Sequence, residues 1–419
     1  MKILYLCFDP SIDLAAETGG AVHVRGMIRA MRELGHEITV LGTCVSRPEW
    51  IESQTAARVI PCGITRLNRV LEKTIRKTNN VLHRPLRRYP DAVRLLHNGT
   101  FFNTAAKIVR RLSPEFIYER YSLWGIAGFT LAKRYRVPFA LEVNAPLVYE
   151  QQRYRQKLAW PRLARWMECR VWQGANPVIV VSEPLHNHLI EAGVASEKIR
   201  VLPNAVDAAW FAAEPGSIGP PRDFHGRDKF VLAFVGSFKP WHGADFLLSV
   251  FEEFHKLQPS SRLLLIGDGP LKGELQEKAR LAGLEKAVVF TGIVPHEEIR
   301  RYLARVDVAL APYPRLDNFY YSPLKLFEYM AAGRVVVASN AGQIPQIIRH
   351  RVTGLLYEPG DRAGLLNCLC ELRKDAALRE ELGRNARKAS EAFTWERNAA
   401  RVIEWIRLKV HRGNLRVAA

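Results

Sequence analysis

Three consecutive stretches decide the fold: KILYLCF at residues 2–8, GGAVHVRGMIRAMRELG at 19–35 and EITVLG at 37–42. The first and third are short apolar runs of the β type. The middle stretch places apolar side chains at helical spacing after a Gly-Gly pair, and Gly35 is suited to ending the helix. The order strand, helix, strand predicts a unit whose two strands run parallel.

Similar apolar runs alternate with helical segments along the rest of the chain. In the first half they are 116–119, 139–143 and 177–182, and in the second half 230–238, 262–270, 288–292, 306–313, 334–340 and 354–360. Between the halves lies a Gly- and Pro-rich stretch without periodicity. We predict an α/β protein of two Rossmann-like, doubly wound parallel-sheet domains. The predicted limits are an N-terminal domain (1–205), a linker region (206–229), a C-terminal domain (230–395) and a terminal helix with a basic tail (396–419).

Composition narrows the class of protein. The chain has 419 residues and a formal net charge of +19, which favours anionic partners. Its six cysteines are scattered without metal-ligand spacing, so neither a zinc site nor a disulfide framework is indicated. No apolar run approaches the roughly 18 residues of a membrane span. These features predict a cytoplasmic protein.

The basic residues are densest at 66–90 and 154–173. The second stretch interleaves Trp160, Trp166 and Trp172 with arginines, as interfacial amphipathic helices do. Two interpretations stay open: peripheral docking on an anionic inner membrane face, or a solvated basic face whose tryptophans pack inward. Charge alone also suggests nucleic-acid binding, but no DNA- or RNA-binding motif accompanies it, so no nucleic-acid partner is predicted.

FYYSPLKLFEYMAAG at 319–333 predicts a buried helix with Ser322 as N-cap, Pro323 at its first position and Gly333 closing it. Lys325 and Glu328 are the charged residues of this apolar helix. One interpretation is that the two residues pair with each other. The other is that Lys325 binds an anion, because a cation in the first turn of a helix is otherwise disfavoured. The second interpretation resembles a phosphate site.

Six motifs in order make the chain resemble the family-4 retaining glycosyltransferases of the GT-B fold. They are Gly19-Gly20, VLPNAVD (201–207), GSFKPWHG (236–243), GDGP (267–270), FTGIVP (290–295) and SPLKLFEYMAAG (322–333). The resemblance implies two domains facing a central cleft, with a C-terminal helix that crosses back to the first. It also implies transfer of a sugar from a nucleotide diphosphate donor to a glycan or lipid-linked acceptor, without a metal ion or other cofactor.

Carried onto this sequence, the resemblance implies a set of donor-binding residues: Gly19, Gly20, Gly236, Ser237, Lys239, His242, Asp268, Ile293, Tyr320, Ser322, Lys325, Leu326 and Glu328. Glu328 would contact the ribose and Lys325 the leaving diphosphate. Three positions depart from the family pattern. Ser237 and His242 stand where arginine and lysine are common, and Tyr320 replaces the first of two glutamates.

Polar residues at two predicted strand ends suggest an acceptor pocket formed by Glu119, Arg120, Glu142 and Asn144, with His23 nearby in the first helix. Either glutamate would orient or deprotonate the acceptor, so Glu119, Glu142 and Lys325 are the candidate catalytic residues. The alternative is that both carboxylates are structural and pair with Arg120 or Arg134. For the whole chain, loss of the first glutamate leaves open a scaffold that binds a nucleotide sugar without transferring it.

Overall fold

The computed structural model forms two units, one of Met1–Pro203 with Trp395–Ala419 and the other of Asn204–Thr394, here called unit 1 and unit 2. The residues that the structure describes are 1–65, 70, 89–154, 158–212 and 228–417. Most of the predicted linker (213–227), most of the basic stretch at 66–90 and residues 155–157 of the second basic stretch lie outside them.

Unit 1 contains a parallel sheet of seven described strands in the order β3-β2-β1-β4-β5-β6-β7. Its strands are β1 (Lys2–Cys7), β2 (Glu37–Gly42), β3 (Arg58–Pro61), β4 (Phe116–Arg120), β5 (Phe139–Val143), β6 (Val178–Val180) and β7 (Ile199–Val201). Its helices are α1 (Gly19–Glu33), α2 (Pro48–Thr55), α3 (Tyr89–Leu112), α4 (Ala127–Tyr135), α5 (Leu147–Tyr154), α6 (Pro161–Gly174), α7 (Glu183–Glu191) and the C-terminal α16 (Trp395–Val417).

The C-terminal helix α16 packs on α1, as the resemblance implies. A β-carbon at Gly26 would lie 2.6 Å from the Trp395 ring, so only glycine lets the two helices approach this closely. The Trp395 ring also meets His23 edge-on at 4.9 Å between ring centres. Unit 1 is therefore completed by residues from the far end of the chain.

Unit 2 contains a parallel sheet of six described strands in the order β10-β9-β8-β11-β12-β13. Its strands are β8 (Phe230–Val235), β9 (Ser261–Ile266), β10 (Val288–Gly292), β11 (Val308–Ala311), β12 (Val335–Ser339) and β13 (Gly354–Tyr357). Its helices are α8 (Ala208–Ala212), α9 (Ala244–Leu257), α10 (Lys272–Leu281), α11 (His296–Leu303), α12 (Leu324–Ala331), α13 (Ile344–Ile347), α14 (Arg362–Lys374) and α15 (Ala376–Ser390).

Both faces of the unit 2 sheet are buried. Alternate residues of β8 enter different cores: Leu232 and Phe234 lie in one apolar cluster, Val231 and Ala233 in the other. This two-sided burial explains why the strands read as continuous apolar runs. Strand order moves outward in both directions from β8, so the switch point lies between β8 and β11, where open parallel sheets bind ligands.

The helix predicted within 319–333 begins later than expected. It runs from Leu324 to Ala331 with Pro323 at the N-cap, so the prediction of a Ser322 cap was wrong. The Ser322 hydroxyl is instead occupied, because it accepts a hydrogen bond from the backbone amide of Asn204 at 3.0 Å. Gly333 follows the helix at φ 67°, the left-handed conformation that was predicted. Among the described helices, none combines the length and apolar character that crossing a bilayer requires.

Candidate functional site

Three glycine turns lie side by side at the carboxyl edge of the unit 2 sheet. They follow β8, β9 and β10, and the first two are in backbone contact: a β-carbon at Gly267 would lie 2.1 Å from the carbonyl oxygen of Gly236. Gly236 and Gly267 have φ of 142° and 137°. A β-carbon at Gly269 would similarly meet the backbone of Phe238 at 2.5 Å. The turns thus form an edge of bare backbone that a ligand can approach closely.

Lys325 extends from α12 to this edge and is buried, with 8% of its surface exposed. Its Nζ lies 3.7 Å from the centre of the Phe234 ring and 5.4 Å from that of Tyr313. A β-carbon at Gly236 would be 2.9 Å from the same Nζ. Within the described residues, this Nζ has no hydrogen-bond partner and makes no ion pair. An ammonium group is therefore held against aromatic faces beside the glycine turn.

Burial lowers the pKa of Lys325 to about 7, although the nearby Glu328 carboxylate acts in the opposite direction. The chain thus carries a lysine that is only partly protonated near neutral pH. An anion arriving beside the amine would favour the charged form and raise its pKa.

Glu328 has a different partner from the one considered in the sequence. Its Oε1 lies 2.8 Å from Nε2 of His296, at the start of α11. The alternative in which Lys325 and Glu328 neutralise each other is therefore not found in the described part of the chain. Glu328 is buried and His296 is about one third exposed.

The turn after β8 holds His242 as a neutral imidazole. Its Nδ1 lies 2.6 Å from the carbonyl oxygen of Ser237, so we assign the ring proton to Nδ1. Burial lowers the pKa of His242 to about 3, and the positive charge of Lys325 acts in the same direction. His242 therefore does not replace the lysine of the family pattern as a cation. Lys239, whose Nζ lies 5.4 Å from the centre of the Trp241 ring, is the basic residue of this turn.

The remaining predicted donor residues lie at different depths. Ile293, directly after β10, is 72% exposed and forms part of an accessible rim. Asp268 holds its own turn, because its carboxylate accepts hydrogen bonds from Lys272 Nζ and the Gly269 amide, each at 2.7 Å. Leu326 is fully buried in the apolar core, so its side chain is packing rather than rim.

Tyr320 replaces a glutamate with a fully buried phenol. Its hydroxyl donates to the Tyr321 hydroxyl at 3.2 Å, and the two rings lie 4.3 Å apart. Tyr320 therefore does not carry the negative charge that a glutamate would bring to this position. The contact of Tyr320 with the sugar donor stays a prediction.

In unit 1 the structure brings three of the predicted acceptor-site residues together around a fourth, Glu142. Arg120 Nη1 donates to Glu142 Oε1 at 2.8 Å, and His23 Nε2 lies 2.8 Å from the same oxygen. The Tyr118 hydroxyl donates to Oε2 at 2.6 Å, and Asn144 also donates to this carboxylate. Burial alone would raise the pKa of Glu142, but His23, Arg120 and Tyr118 together hold it well below its usual range. Glu142 is thus an ionised carboxylate at neutral pH, and its oxygens are engaged by these neighbours.

Glu119 does not join that network. Successive strand residues point to opposite faces, and Glu119 packs on the α4 side, where a β-carbon at Gly128 would lie 1.8 Å from its Oε2. That oxygen is buried without a hydrogen-bond partner in the described ranges. Burial raises the pKa of Glu119 to about 8, so the group is mostly an uncharged carboxylic acid at neutral pH. The expected single pocket containing both glutamates is therefore corrected: they lie on different faces of the sheet.

Gly19 and Gly20 form the first turn of α1, whose N-cap residue Thr18 makes no side-chain capping bond. A β-carbon at Gly20 would lie 3.8 Å from Nη2 of Arg120. The helix N-terminus and the guanidinium group therefore approach each other at the carboxyl edge of the unit 1 sheet. His23 is buried beside them rather than facing solvent.

Sequence reasoning missed Phe234 and Tyr313, the rings that flank Lys325. Phe234 was hidden within an apolar strand, where nothing distinguishes a ligand-site ring from a core ring. Tyr313 follows β11 at the switch point, and its position after the strand was the available signal.

Comparison with known proteins identifies the class to which this fold belongs. Residues 18–210 match the model described as Glycosyltransferase Family 4, and residues 229–375 match the model for glycosyl transferases group 1. The chain belongs to this glycosyltransferase family, and its two parallel-sheet domains are those of the GT-B class.

Individual relatives are distant. The sulfoquinovosyl transferase of Arabidopsis thaliana is 27% identical over 328 residues, which cover 72% of this chain and 60% of that protein. A glycogen synthase of Mycobacterium tuberculosis is 25% identical over 391 residues, covering 89% and 87%. The Anabaena protein HepE, solved in complex with UDP, superimposes with a TM-score of 0.71 at 18% identity, covering 96% of this chain and 99% of HepE. This chain spans less than two thirds of the length of the plant relative.

Proposed function

We propose that the enzyme transfers a sugar, with retention of anomeric configuration, from a nucleotide diphosphate sugar to a glycan or lipid-linked acceptor. The observation that carries the proposal is Lys325, a buried ammonium without a counter-ion in the described residues, placed beside the Gly236 turn at the sheet's switch point. The complex of the structural neighbour HepE with UDP supports the same donor class.

In the proposed reaction the positive charge for the leaving diphosphate comes from side chains and backbone amides rather than from a metal ion. Lys325 takes up a full proton when the diphosphate binds and stabilises the charge that develops on the leaving oxygen. Lys239 supplies a second cation from the turn after β8. His242 is a neutral imidazole whose Nε2 carries no proton. This nitrogen accepts a hydrogen bond, and the ring does not neutralise phosphate charge.

The bond changes balance without a covalent enzyme intermediate. The bond between the anomeric carbon and the diphosphate oxygen breaks while the acceptor oxygen bonds to that carbon on the same face. The acceptor's proton passes to a departing phosphate oxygen. Glu328 binds the ribose in this proposal, and Ile293 frames the base.

On the acceptor side, we propose a positioning role for Glu142, and its contacts support it. Because its carboxylate is ionised and held by Arg120, Tyr118 and His23, it orients the Arg120 guanidinium at the α1 N-terminus. Glu119 lies on the opposite face of the sheet and is left out of the acceptor proposal. The proposed acceptor-binding residues are Arg120, Asn144 and His23, and Glu142 positions them.

The test uses purified full-length protein and a panel of nucleotide sugars. A ligand at 100 times its dissociation constant should add about 2.7 kcal/mol of stability, which a thermal-shift assay detects. For the donor that stabilises most, Lys325→Ala should abolish the contribution of the diphosphate and reduce sugar transfer. Lys278→Ala is the matched control, since that lysine is exposed and pairs with Glu274 on α10. Stabilisation by no nucleotide sugar, or equal loss in both variants, would refute the proposal.

A second part of the proposal places the enzyme in the cytoplasm, bound peripherally to an anionic inner membrane face. Trp160, Leu163 and Trp166 are 36%, 42% and 57% exposed at and near the start of α6, three residues apart. Arg165 beside them keeps 40% of its side chain exposed. Trp172 is fully buried, so one of the three tryptophans follows the inward-packing interpretation.

An anionic lipid surface fits exposed indole rings flanked by arginine. Trp160→Ala with Trp166→Ala should weaken binding to vesicles of anionic phospholipid, and added salt should weaken wild-type binding. Trp210→Ala removes a tryptophan that is 40% exposed in unit 2 and is the control. Binding that is indifferent to lipid charge would refute this part alone.

A further inference from the structure

The hydroxyl of Tyr329 lies between two strands of the unit 2 sheet. It accepts a hydrogen bond from the Val235 amide at 2.7 Å and donates to the Leu310 carbonyl at 3.4 Å. Tyr329 is fully buried on α12. Its hydroxyl therefore satisfies one backbone group on β8 and one on β11.

The hydroxyl takes the place of a missing backbone hydrogen bond between β8 and β11. β8 pairs with β9 along its whole length, but with β11 only at Leu232↔Val308 and Ala233↔Ala309. If that register continued, the Val235 amide would donate directly to the Leu310 carbonyl. Pro312 has no N–H, so the next backbone hydrogen bond of this ladder is also missing. The two strands thus separate where the phenol enters.

Lys325 enters the same gap. It precedes Tyr329 by four residues on α12, so the two side chains lie on one helix face. Its Nζ contacts the face of Phe234, the residue before the amide that Tyr329 holds, and it approaches Gly236, the residue after. Closing the ladder would move Val235 and Gly236 towards β11 and narrow the space beside the ammonium.

We propose that Tyr329 is a positioning residue for the donor diphosphate, because its hydroxyl keeps β8 and β11 apart so that the Gly236 turn and Lys325 Nζ face one anion. This inference rests on the proposed function of that site. A tyrosine that merely fills the core would contribute to stability without distinguishing the diphosphate from the rest of the donor.

The experiment measures the affinity of full-length protein for three nucleosides and their diphosphates: uridine and UDP, adenosine and ADP, guanosine and GDP. Tyr329→Phe should weaken binding of the preferred diphosphate about tenfold, the equivalent of roughly one lost hydrogen bond, and leave binding of its nucleoside unchanged. Folding should be retained, because Val235 and Leu310 can then bond directly. Amide exchange in the β8 segment should become slower for the same reason. Tyr357→Phe is the matched control, since that tyrosine is also buried and its hydroxyl has no partner in the described residues.

Three results would overturn the inference: equal losses for nucleoside and diphosphate, no loss for either, or a variant that does not fold. They are distinguishable from failure of the proposed function. If the wild type gains nothing from the diphosphate over the nucleoside, the proposed donor site itself is refuted. If the wild type gains and Lys325→Ala loses that gain while Tyr329→Phe keeps it, only the role of Tyr329 is refuted.

Discussion

Replacing Lys325 with methionine should make unit 2 more stable while it removes diphosphate binding. Methionine keeps the unbranched length of the side chain, so the apolar contacts with Phe234 and Tyr313 are retained, but the buried charge is gone. Lysine ordinarily titrates at pKa 10.5, and burial lowers the pKa of Lys325 to about 7. At 1.36 kcal/mol per pKa unit, the charged form is penalised by an amount on the order of 5 kcal/mol.

The sign of the pH dependence follows from proton linkage. Between pH 7 and 10.5 the unfolded chain binds more protons at this lysine than the folded chain does, so wild-type stability rises with pH in that window. The gain in stability of Lys325→Met over wild type should therefore be largest below pH 7 and shrink as the pH approaches 10.

Hydrogen exchange detected by mass spectrometry, read at the peptides of β8 and α12, measures the unfolding free energy of unit 2 separately from that of unit 1. The matched control is Lys278→Met, at an exposed, paired lysine. A stability difference that stays constant with pH, or a destabilised Lys325→Met variant, would refute the claim that this ammonium is held at a cost until an anion arrives.

Three further predictions concern unit 1. Glu119→Gln should be more stable than wild type, because burial raises the pKa of Glu119 to about 8. The gain should grow as the pH rises from 4.5 to about 8 and then level off. Thermal melts across pH measure the gain, and a difference that does not change with pH would contradict it. Glu142→Gln should cost about 3 to 5 kcal/mol in urea unfolding at pH 7, because it leaves the largely buried Arg120 guanidinium without its carboxylate. A loss under about 1 kcal/mol would show that the network is dispensable. Wild type should lose this contribution as the pH falls below the ordinary pKa of glutamate, since the folded carboxyl titrates lower. Gly26→Ala should cost about 1 to 3 kcal/mol of stability and speed amide exchange in α16, because the new methyl group meets Trp395. Gly99→Ala, at an open position on α3, should change neither the stability nor the exchange. Unchanged exchange in the Gly26→Ala variant would refute the packing argument.

Much of the architecture is readable from the sequence because both faces of each sheet are buried. Strands such as Phe139–Val143 and Val288–Gly292 begin and end as the apolar runs predict, since a doubly covered strand has no polar alternation to confuse its limits. The strand β3 was missed, because Arg58–Pro61 lies at the sheet edge with two exposed residues and a proline.

The candidate site was only partly readable, for a different physical reason. The apolar surroundings and helix position of Lys325 are local properties, so its need for an anion can be argued from fifteen residues. The pairing of Glu328 with His296 spans 32 positions and depends on how α11 meets α12. The separation of Glu119 from Glu142 depends on strand register, in which a shift of one residue changes the face. The neutral state of His242 depends on a carbonyl oxygen that no side-chain pattern reports.

The return of α16 to α1 has a consequence for synthesis on the ribosome. Unit 2 is inserted between the two parts of unit 1, so after Pro203 has been added almost two hundred more residues follow before Trp395. At about 5 to 20 residues per second this takes roughly 10 to 40 seconds. During that time the α1 face around Gly26 and His23 lacks its cover, and a nascent chain in this state is a natural client for a chaperone.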